Sequence, residues 1–585
     1  MGVVPTLEAV DRQPGSTGRR APRHTRFLRR APDLTAAIAA LLGALSLVDA
    51  FLPHERFRVH AITRVIPVPA TAAASAVLAV AGLLLLRVAA GLRKRKQRAW
   101  QVAMVVALVM LVALIVRAER RPDELAITAL LIVLLIVGRS RFTAKADPFS
   151  RWFAARVFVQ ILCAAYVYGL GILYLYPHRI VGHRSFTLRL EEVSLGLVGT
   201  SGNLHFASDL FADVLHGTLL GFGLFAVAAP ALLLLRAPEP IARLSTEDES
   251  RLRELLRRHG ERDSLGYFAL RRDKSVVWSA TGKAAITYRV VHGVALASGD
   301  PIGDPEAWPG AIAAYRALVE EYGWTPAVMG ASQLGATVFK REYGLNALEL
   351  GDEAVLDVAE FTLDGRAMRG VRQACTRVAR AGYEVRVRRA SEIEPAEFAQ
   401  LRQAAESWRG DAVERGFSMA LSRLGDPTDP DCVLATACRD GELRGLLHFV
   451  PWGPCGLSLD LMRRDRSADN GLNEFMITQV VAACPSLGVG RISLNFAVFR
   501  DALERGERIG AGPILRAWRR VLLFASRWWQ IESLYRFNVK FRPYWEPRFV
   551  SFAATRDVPR IAVAALEAEA FLVRPHRLKR LLGRG

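Results

Sequence analysis

The chain has 585 residues, a formal net charge of +21 and a mean hydropathy of +0.18. This length exceeds one compact domain, the 51% hydrophobic content excludes a disordered chain, and the positive mean hydropathy argues against a wholly soluble protein. The six cysteines include no C-x-x-C pair and no histidine at zinc-ligand spacing, which disfavours both a disulfide scaffold and a zinc site. The basic charge favours a polyanionic partner, either nucleic acid or anionic lipid.

A basic arm over 1–33 precedes six apolar stretches, which predict a transmembrane domain over 34–236. A helix needs about 20 predominantly apolar residues to cross a bilayer. The predicted spans lie at 34–52, 65–90, 99–117, 123–138, 153–176 and 210–236. The stretch 101–116 carries no charge, and a helix that is apolar all round belongs in lipid.

Lysine and arginine are unevenly distributed among the connections of this domain. The arm and loops 87–98 and 139–151 together carry 17 of them, whereas the alternate connections carry nine. The positive-inside rule places the richer side in the cytoplasm, and an even number of spans returns the chain there. We therefore expect a multi-pass protein of the cell membrane, with everything after residue 240 in the cytoplasm.

Residues 237–250 read as a proline- and charge-rich linker, beyond which short β-like runs alternate with amphipathic helices. This alternation predicts an α/β or α+β layered half. Strands are predicted at 284–291, 293–298, 383–388, 432–438, 443–450 and 457–461, and helices at 305–322, 364–381, 394–406, 471–484 and 513–530. This half is too long for one small sheet, so we expect units at 251–390 and 391–572 and a basic tail at 573–585.

The predicted helix 364–381 carries a one-sided row of arginines. Asp364 is placed to cap it and Gly382 to stop it. At 100° per residue, one side holds Arg366, Arg369, Arg372, Arg377 and Arg380, and the other holds Met368, Val371, Cys375 and Val378. The row has no acidic partner four residues away, which favours phosphate recognition. An ordinary solvated face is the alternative.

Segment 457–475 brings charged residues to a strand end and a helix start. Its charged and turn-forming residues are Asp460, Arg463, Arg464, Asp465, Asp469, Asn470, Gly471 and Glu474. Open α/β layers bind ligands at such positions, where backbone N–H groups favour an anion. A βα loop with ordinary capping residues is the alternative.

Segment 535–549 interleaves aromatic and basic side chains. Lys540 and Arg548 flank Tyr544 and Trp545, which resembles a cationic, aromatic wall for a nucleotide end or a lipid head. Core aromatic residues separated by loop-forming prolines are the alternative.

Common cofactor and nucleophile motifs are missing from the sequence. Neither a Rossmann G-x-G-x-x-G nor a Walker A motif occurs, so neither NAD nor ATP is indicated, and no cofactor or metal is expected. No Ser/His/Asp or Cys/His arrangement has a recognisable spacing. His448, in a predicted strand, is interpreted as a core histidine rather than a catalytic base.

Several of these segments, in order, resemble the cytosolic domain of the bacterial phosphatidylglycerol lysyltransferases, the multiple peptide resistance factor family. The match covers nearly all of 264–572 and comprises YFALRRDKSVVWS, LASGDPIGDP, the D-G-R-x-x-R-x-x-R helix, GFSMALSRLGD, SLDLMRRDRSADNGLNEF and KFRPYWEPRF. The membrane half resembles the family in layout only, with GLRKRKQRAW as its best local match. Six spans are fewer than in long members that also flip their product, and we expect no lysyl-tRNA synthetase module of the kind that some relatives append.

The resemblance implies tandem acetyltransferase-like (dual GNAT) units that transfer an aminoacyl group from aminoacyl-tRNA to the headgroup hydroxyl of phosphatidylglycerol. Such transfer lowers the negative charge of the membrane and gives resistance to cationic peptides. The expected partners are aminoacyl-tRNA, phosphatidylglycerol and the anionic membrane surface, and homo-oligomerisation is left open. The alternatives are a coenzyme-A-dependent acyltransferase, whose pyrophosphate loop the segment QLGATV does not match, and a lipid transporter with a basic domain.

We expect one pocket in the second unit, where the donor ester meets the lipid hydroxyl. The catalytic candidates are Asp460, Glu474, Arg464 and Lys540. The substrate-binding candidates are Arg463, Asp465, Asn470, Gly471, Asn495, Trp545 and Arg548. The tRNA-binding candidates are Arg366, Arg369, Arg377 and Arg380. Carboxylates suit ammonium groups or deprotonation, and basic groups suit phosphate or an oxyanion. Two carboxylates would suit a dibasic group, so lysine is the first choice of amino acid.

Overall fold

The computed structural model describes residues 23–51, 68–117, 122–144, 149–183, 185–234, 239–410, 413–414, 416–498 and 531–572. The predicted helix 513–530 and the basic tail 573–585 lie outside these residues. Contacts divide the chain into two compact units, Met1–Arg236 and Ala237–Gly585.

The first unit is helical. Its helices are α1 (Arg23–Phe51), α2 (Val68–Arg93), α3 (Gln97–Arg117), α4 (Pro122–Val137), α5 (Phe149–Leu175), α6 (Phe186–Val198) and α7 (Asp209–Leu234), with the short strands β1 (Ile180–Val181) and β2 (His205–Phe206) on either side of α6. Within the described residues, each of the six predicted apolar stretches contains a helix, whereas α6 was not predicted. By length and composition, three of the described helices can cross a membrane, over Gln97–Ile115, Ala154–Leu175 and Asp209–Leu234.

The second unit is built on one mixed sheet, which confirms the predicted α/β half. Its strands are β3 (Ser275–Trp278), β4 (Ala284–Val291), β5 (Val294–Ser298), β6 (Ile302–Gly303), β7 (Thr325–Ala331), β8 (Asn346–Asp357), β9 (Tyr383–Arg389), β10 (Val433–Arg439), β11 (Glu442–Pro451), β12 (Gly456–Arg464), β13 (Arg491–Val498) and β14 (Tyr544–Phe552). Its helices are α8 (Thr246–His259), α9 (Trp308–Tyr322), α10 (Gln333–Tyr343), α11 (Arg369–Arg380), α12 (Pro395–Arg409), α13 (Leu472–Leu487), α14 (Ile531–Val539) and α15 (Val558–Ala568).

The sheet repeats one motif: three antiparallel strands, a helix, and a strand parallel to the third. In the first half β3, β4 and β5 are followed by α9 and by β7, which is parallel to β5. In the second half β10, β11 and β12 are followed by α13 and by β13, which is parallel to β12. This internal repetition is what two tandem units produce. The boundary between them near residue 390 stays a prediction.

The two halves exchange their last strands. The order at the centre of the sheet is β7-β14-β8-β13, so β14, from the end of the chain, pairs with β7 of the first half. In turn β8, from the first half, pairs with β13 of the second. The end of β14, from Arg548 onward, therefore lies among first-half side chains, although its sequence neighbours belong to the second half.

Pro547 lies inside β14, where the sequence suggested a loop. At this position β14 pairs with β8 alone, because β7 joins only from Phe549 onward. A proline cannot donate a ladder hydrogen bond, so it is tolerated where one side of the strand has no partner.

Helix α11 begins later than predicted, which corrects the role given to Asp364. Met368 is the N-cap residue, and Asp364 instead accepts a hydrogen bond from the Thr362 hydroxyl (3.0 Å) in the preceding turn. Val371 and Val378 are buried, as the helical periodicity predicted. Arg366 consequently precedes the helix rather than standing on it.

Candidate active site

Asp460 lies on β12, and both of its carboxylate oxygens have partners. Oδ1 accepts a hydrogen bond from the backbone N–H of Leu421 (2.6 Å), and Oδ2 lies 2.7 Å from Nδ1 of His448 on β11. The side chains of Asp460 and His448 are 5% and 2% exposed. Burial lowers the pKa of His448, but Cys432 and the Asp460 carboxylate outweigh burial and raise this pKa to about 10. The interpretation of His448 as a partnered core residue is confirmed.

Beyond Asp460, strand β12 opens onto a cleft of about 300 Å³. Its walls are α12, the segment 422–427 and the end of β12. Arg463 lies in this cleft: Nη1 donates to the Ala405 carbonyl (2.8 Å), and Nη2 is 3.8 Å from Glu414. Burial is the main cause that lowers the pKa of Arg463.

The cleft combines both signs of charge. Its charged lining residues are Arg402, Arg409, Arg423, Arg463, Glu406, Glu414 and Asp426. Glu414 lies between two guanidinium groups, since it also pairs with Arg409 (3.3 Å). Such a cleft can bind a ligand that carries both ammonium and phosphate groups, because carboxylates pair with the first and guanidinium groups with the second.

The loop after β12 is shaped by the predicted residues themselves. Arg464 donates to the Ala468 carbonyl (2.8 Å), and Asp465 pairs with Arg444 (2.8 Å). Hydrogen bonds from Ser467 and Arg444 hold the pKa of Asp465 below its ordinary value. Gly471, at φ +100°, is the N-cap residue of α13, and a Cβ there would lie 2.9 Å from the Ala374 side chain.

Glu474 and Lys540 form an ion pair. Glu474 occupies the first turn of α13, and Lys540 follows the end of α14; Nζ lies 2.8 Å from Oε1. The Glu474 side chain is 13% exposed and that of Lys540 is 49% exposed. The structure thus brings together two of the predicted catalytic residues, 66 positions apart in sequence, at a solvent-accessible edge.

The four predicted tRNA-binding arginines are all exposed: Arg366, Arg369, Arg377 and Arg380. Arg377 donates to the Asn470 carbonyl (2.7 Å), so this helix face adjoins the loop that precedes α13. Cys375 on the opposite side of α11 lies 3.4 Å from Thr478 of α13, which fixes the two helices against each other.

The structure places Arg548 differently from the prediction. It is 2% exposed on β14 and lies among first-half side chains, where Nη1 pairs with Asp263 (2.7 Å) and Nε with Glu353 (2.8 Å). Nη2 donates to the Ser264 hydroxyl (2.7 Å). A guanidinium group with these partners stabilises the junction of the exchanged strands, and Arg548 is not among the residues that line the cleft beside β12.

Asn495 and Trp545 also act within the fold. Asn495, at φ +71°, donates through Nδ2 to the Leu459 carbonyl (3.0 Å) and so ties β13 to β12 where the two strands diverge. The half-buried Trp545 packs against the second-half core, with its ring centroid 5.8 Å from that of Tyr535.

Sequence reasoning missed the cleft wall formed by segment 420–429. It carries Arg423, Asp426 and Asp429, whose partners come from residues more than 150 positions earlier. The signals available in sequence were the Gly425-Asp426-Pro427 turn and the presence of this segment in the family match.

Comparison with known proteins adds to this picture. Residues 253–552 match a family model described as phosphatidylglycerol lysyltransferase, C-terminal, and residues 27–233 match one described as the transmembrane region of lysyl-tRNA synthetase. The lysylphosphatidylglycerol biosynthesis bifunctional protein LysX of Rhodococcus opacus is 43% identical over 555 residues, covering 94% of this chain and 49% of that protein. The protein of the same name from Mycobacterium avium is 46% identical over 505 residues, covering 83% and 42%.

A solved structure, L-PGS from Bacillus licheniformis, covers 57% of this chain and 99% of its own, at 20% identity and a TM-score of 0.47. The chain spans about half the length of the curated relatives that it matches.

Proposed function

The chain belongs to the phosphatidylglycerol lysyltransferase family, and from that premise we propose that it transfers a lysyl group from lysyl-tRNA to the headgroup hydroxyl of phosphatidylglycerol. The observation that carries the proposal is the family match over residues 253–552, which contain Asp460, Glu474 and Lys540. The reaction exchanges one ester for another, so it is nearly balanced in energy. What the protein must supply is alignment, a proton acceptor and stabilisation of the oxyanion.

The charged cleft beside β12 is the proposed site for the donor end. The lysyl group carries two ammonium groups, which suit Glu406 and Glu414, while phosphates of the tRNA end or of the lipid suit Arg409 and Arg463. The lipid hydroxyl attacks the ester carbonyl carbon and gives up its proton, and the terminal ribose hydroxyl of the tRNA leaves with a proton.

The structure favours different roles for the two candidate carboxylates. Both oxygens of Asp460 have buried partners, so we assign it to holding Leu421 and His448 in place. Glu474 is more exposed and pairs with Lys540 at the start of α13, on the face of the sheet opposite to α12 and the cleft. We therefore assign this pair to substrate contact outside the cleft, with Glu474 as ammonium partner or proton acceptor.

The exposed arginines on α11, together with Arg366 just before it, are the proposed contact to tRNA phosphates. Replacing Arg366, Arg369, Arg377 and Arg380 by Gln should weaken binding of aminoacyl-tRNA and lower the salt slope by about 0.7–0.9 for each lost contact. The matched control is Arg257→Gln with Arg258→Gln, on the exposed face of α8. An unchanged salt dependence of tRNA binding would indicate that this row of arginines is an ordinary solvated face.

We place the first unit in the cell membrane as a multi-pass domain, with the second unit in the cytoplasm. Support comes from the three helices long and apolar enough to span and from the lysine and arginine asymmetry. A cysteine introduced within 177–209 should react with an impermeant thiol reagent in intact cells, and one introduced in α15 should not. The reverse pattern would contradict this topology.

The function is tested with the purified full chain reconstituted in phosphatidylglycerol vesicles. Mass spectrometry of the lipids should detect lysyl-phosphatidylglycerol after addition of lysyl-tRNA, and less or none with alanyl-tRNA. Product only with acyl-coenzyme A would favour the acyltransferase alternative. Absence of any modified lipid would contradict both reactions.

A further inference from the structure

Arg423, in the wall of the cleft, is held by two buried carboxylates. Its Nε and Nη2 pair with the two oxygens of Asp429 (2.7 and 3.0 Å), and its Nη1 lies 3.0 Å from Glu249 on helix α8. The three side chains are 8%, 4% and 10% exposed. A planar guanidinium group held on two edges has one orientation, so the backbone that carries it is fixed as well.

A second arginine links the same two carboxylates. Nη2 of Arg253 on α8 lies 2.7 Å from Asp429 and 2.8 Å from Glu249. Its Nη1 donates to the hydroxyl of Tyr267, which in turn donates to Asp429 (2.7 Å). Burial raises the pKa of Glu249, but the hydrogen bond from Arg253 and the charge of Arg423 outweigh burial and hold it below its ordinary value. The carboxylate therefore stays charged at neutral pH.

A third pair completes the set, since Arg272 lies 2.8 Å from Asp426 and 3.4 Å from Glu249. We call these six residues the α8 network: Glu249, Arg253, Arg272, Arg423, Asp426 and Asp429. Three positive and three negative charges balance, and Glu249, Arg423 and Asp429 are the buried part of the network, so removing one of these three leaves an uncompensated buried charge. The network joins α8 and the start of the first half to the segment that walls the cleft.

The same segment is held in a strained conformation. Ser422 lines the cleft at φ +59°, and Arg271 donates both to its hydroxyl (2.7 Å) and to the Ala420 carbonyl (3.1 Å). The next residue back, Leu421, donates its N–H to Asp460. Positive φ at a residue with a side chain persists only where the surroundings over-determine it, and such strain concentrates at functional sites.

We propose that Arg423 is a positioning residue for aminoacyl transfer: through the α8 network it sets the wall of the cleft that receives the donor aminoacyl group. The inference rests on the proposed function. Glu249 anchors this wall from the first helix of the second unit, and Asp460 anchors it from β12. Loss of the anchor on α8 displaces the wall while leaving Glu474 and Lys540 in place, so binding of the donor weakens more than the chemical step.

The test uses the full chain in phosphatidylglycerol vesicles and two variants, Glu249→Gln and Arg423→Lys. Glu249→Gln preserves the shape of the side chain and the pairing of Arg423 with Asp429, so it is the milder of the two changes. Both should raise KM for lysyl-tRNA at least tenfold with less than a threefold change in kcat. Amide hydrogen exchange over 421–426 should accelerate at least tenfold while exchange in α13 stays unchanged.

The matched control is Glu254→Gln, on the same helix, where the carboxylate is 42% exposed and pairs with Arg257 and Arg258. It should leave KM and loop exchange as in the wild type. An unchanged KM in both variants of an active enzyme overturns the proposal, and so does exchange that rises equally in α13, which would mean general destabilisation. If the wild type transfers no aminoacyl group, the proposed function is wrong. In that case, amide hydrogen exchange over 421–426 that is unchanged in both variants would overturn the claim that the α8 network holds the cleft wall.

Discussion

Replacing Asp460 with Asn removes the negative charge beside a buried imidazole. His448 is 2% exposed and its pKa is raised to about 10, so it is protonated at neutral pH in the folded protein. Burial raises the pKa of the Cys432 thiol, and Asp460 is the carboxylate that pairs with the imidazole. The variant also weakens the acceptor for the Leu421 N–H.

The size of the effect follows from the pKa of His448. A shift from the ordinary 6.5 to about 10 is worth about 4 kcal/mol at pH 7, at 1.36 kcal/mol per unit. Removing one partner of a buried pair costs about 3–5 kcal/mol, which agrees. Since Cys432 accounts for part of the shift, we expect Asp460→Asn to cost about 3 kcal/mol at pH 7. Lipid aminoacylation should fall about 100-fold, because the cleft wall moves with Leu421.

The pH dependence gives a sharper readout than the absolute value. A pKa raised in the folded state contributes stability that is complete below pH 6.5 and is lost as the pH rises through about 10. The wild type should lose stability over this range, while the Asp460→Asn variant should lose less. The difference between them should therefore shrink from pH 6 to pH 10.

Denaturant unfolding of the full chain in detergent, followed by tryptophan fluorescence, measures both proteins over this range. Asp440→Asn is the matched control, since its side chain is 87% exposed and the change should have little effect at any pH. A difference between wild type and Asp460→Asn that is constant with pH would refute the assignment of His448 as the linked group. Wild-type rates of lipid aminoacylation in Asp460→Asn would refute its role in the site.

Three further changes have distinct expected outcomes. Glu474→Gln breaks a partly exposed ion pair with Lys540 that is worth about 1 kcal/mol at most, so thermal unfolding should barely change. Lipid aminoacylation should fall sharply while tRNA binding persists. Aminoacylation at the wild-type rate would contradict the assignment of Glu474 to the site. Lys274 is fully buried, and burial lowers its pKa to about 7. The free energy of unfolding of Lys274→Met should therefore exceed that of the wild type by up to about 5 kcal/mol below pH 7, and this difference should disappear as the pH rises towards 10.5. A difference independent of pH would exclude the buried ammonium as its cause. Gly425 has φ +74°, and a Cβ there would lie 2.7 Å from the Phe398 ring. Gly425→Ala should therefore lower the free energy of unfolding by about 1–3 kcal/mol in denaturant titrations. An unchanged midpoint of the unfolding transition would show that the turn relaxes.

Local patterns in the sequence were sufficient for much of the fold. The six apolar stretches are helices, and most predicted strands and helices of the second unit have matching elements in the structure, because hydrophobic periodicity reports directly on which face an element buries. Strand β4 was predicted at its observed bounds, 284–291. Helix α11 was misjudged at its start because capping depends on the turn before it, which Thr362 and Asp364 organise among themselves.

The candidate site was predictable only in part. Residues 464–474 lie where a strand ends and a helix begins, which could be inferred because they belong to one short segment, whereas Asp460 lies within β12, which continues to Arg464. The pairing of Glu474 with Lys540 depended on bringing α14 to α13, and the placing of Asp460 beneath Leu421 depended on the path of segment 416–429. The side chains were identifiable from sequence, but their partners were not.

What the sequence by itself determined about this protein is its division into a membrane-type helical half and a basic α/β half, together with the charged residues that a polyanionic substrate requires. Only the tertiary structure decided which of those residues meet. Arg548 shows why. Its neighbours in sequence suggested a pocket in the second half, but the exchange of strands places β14 between β7 and β8. Arg548 therefore pairs with Asp263 and Glu353 of the first half. Pairing between strands about 200 positions apart reflects the packing of the whole sheet, and no local pattern encodes it.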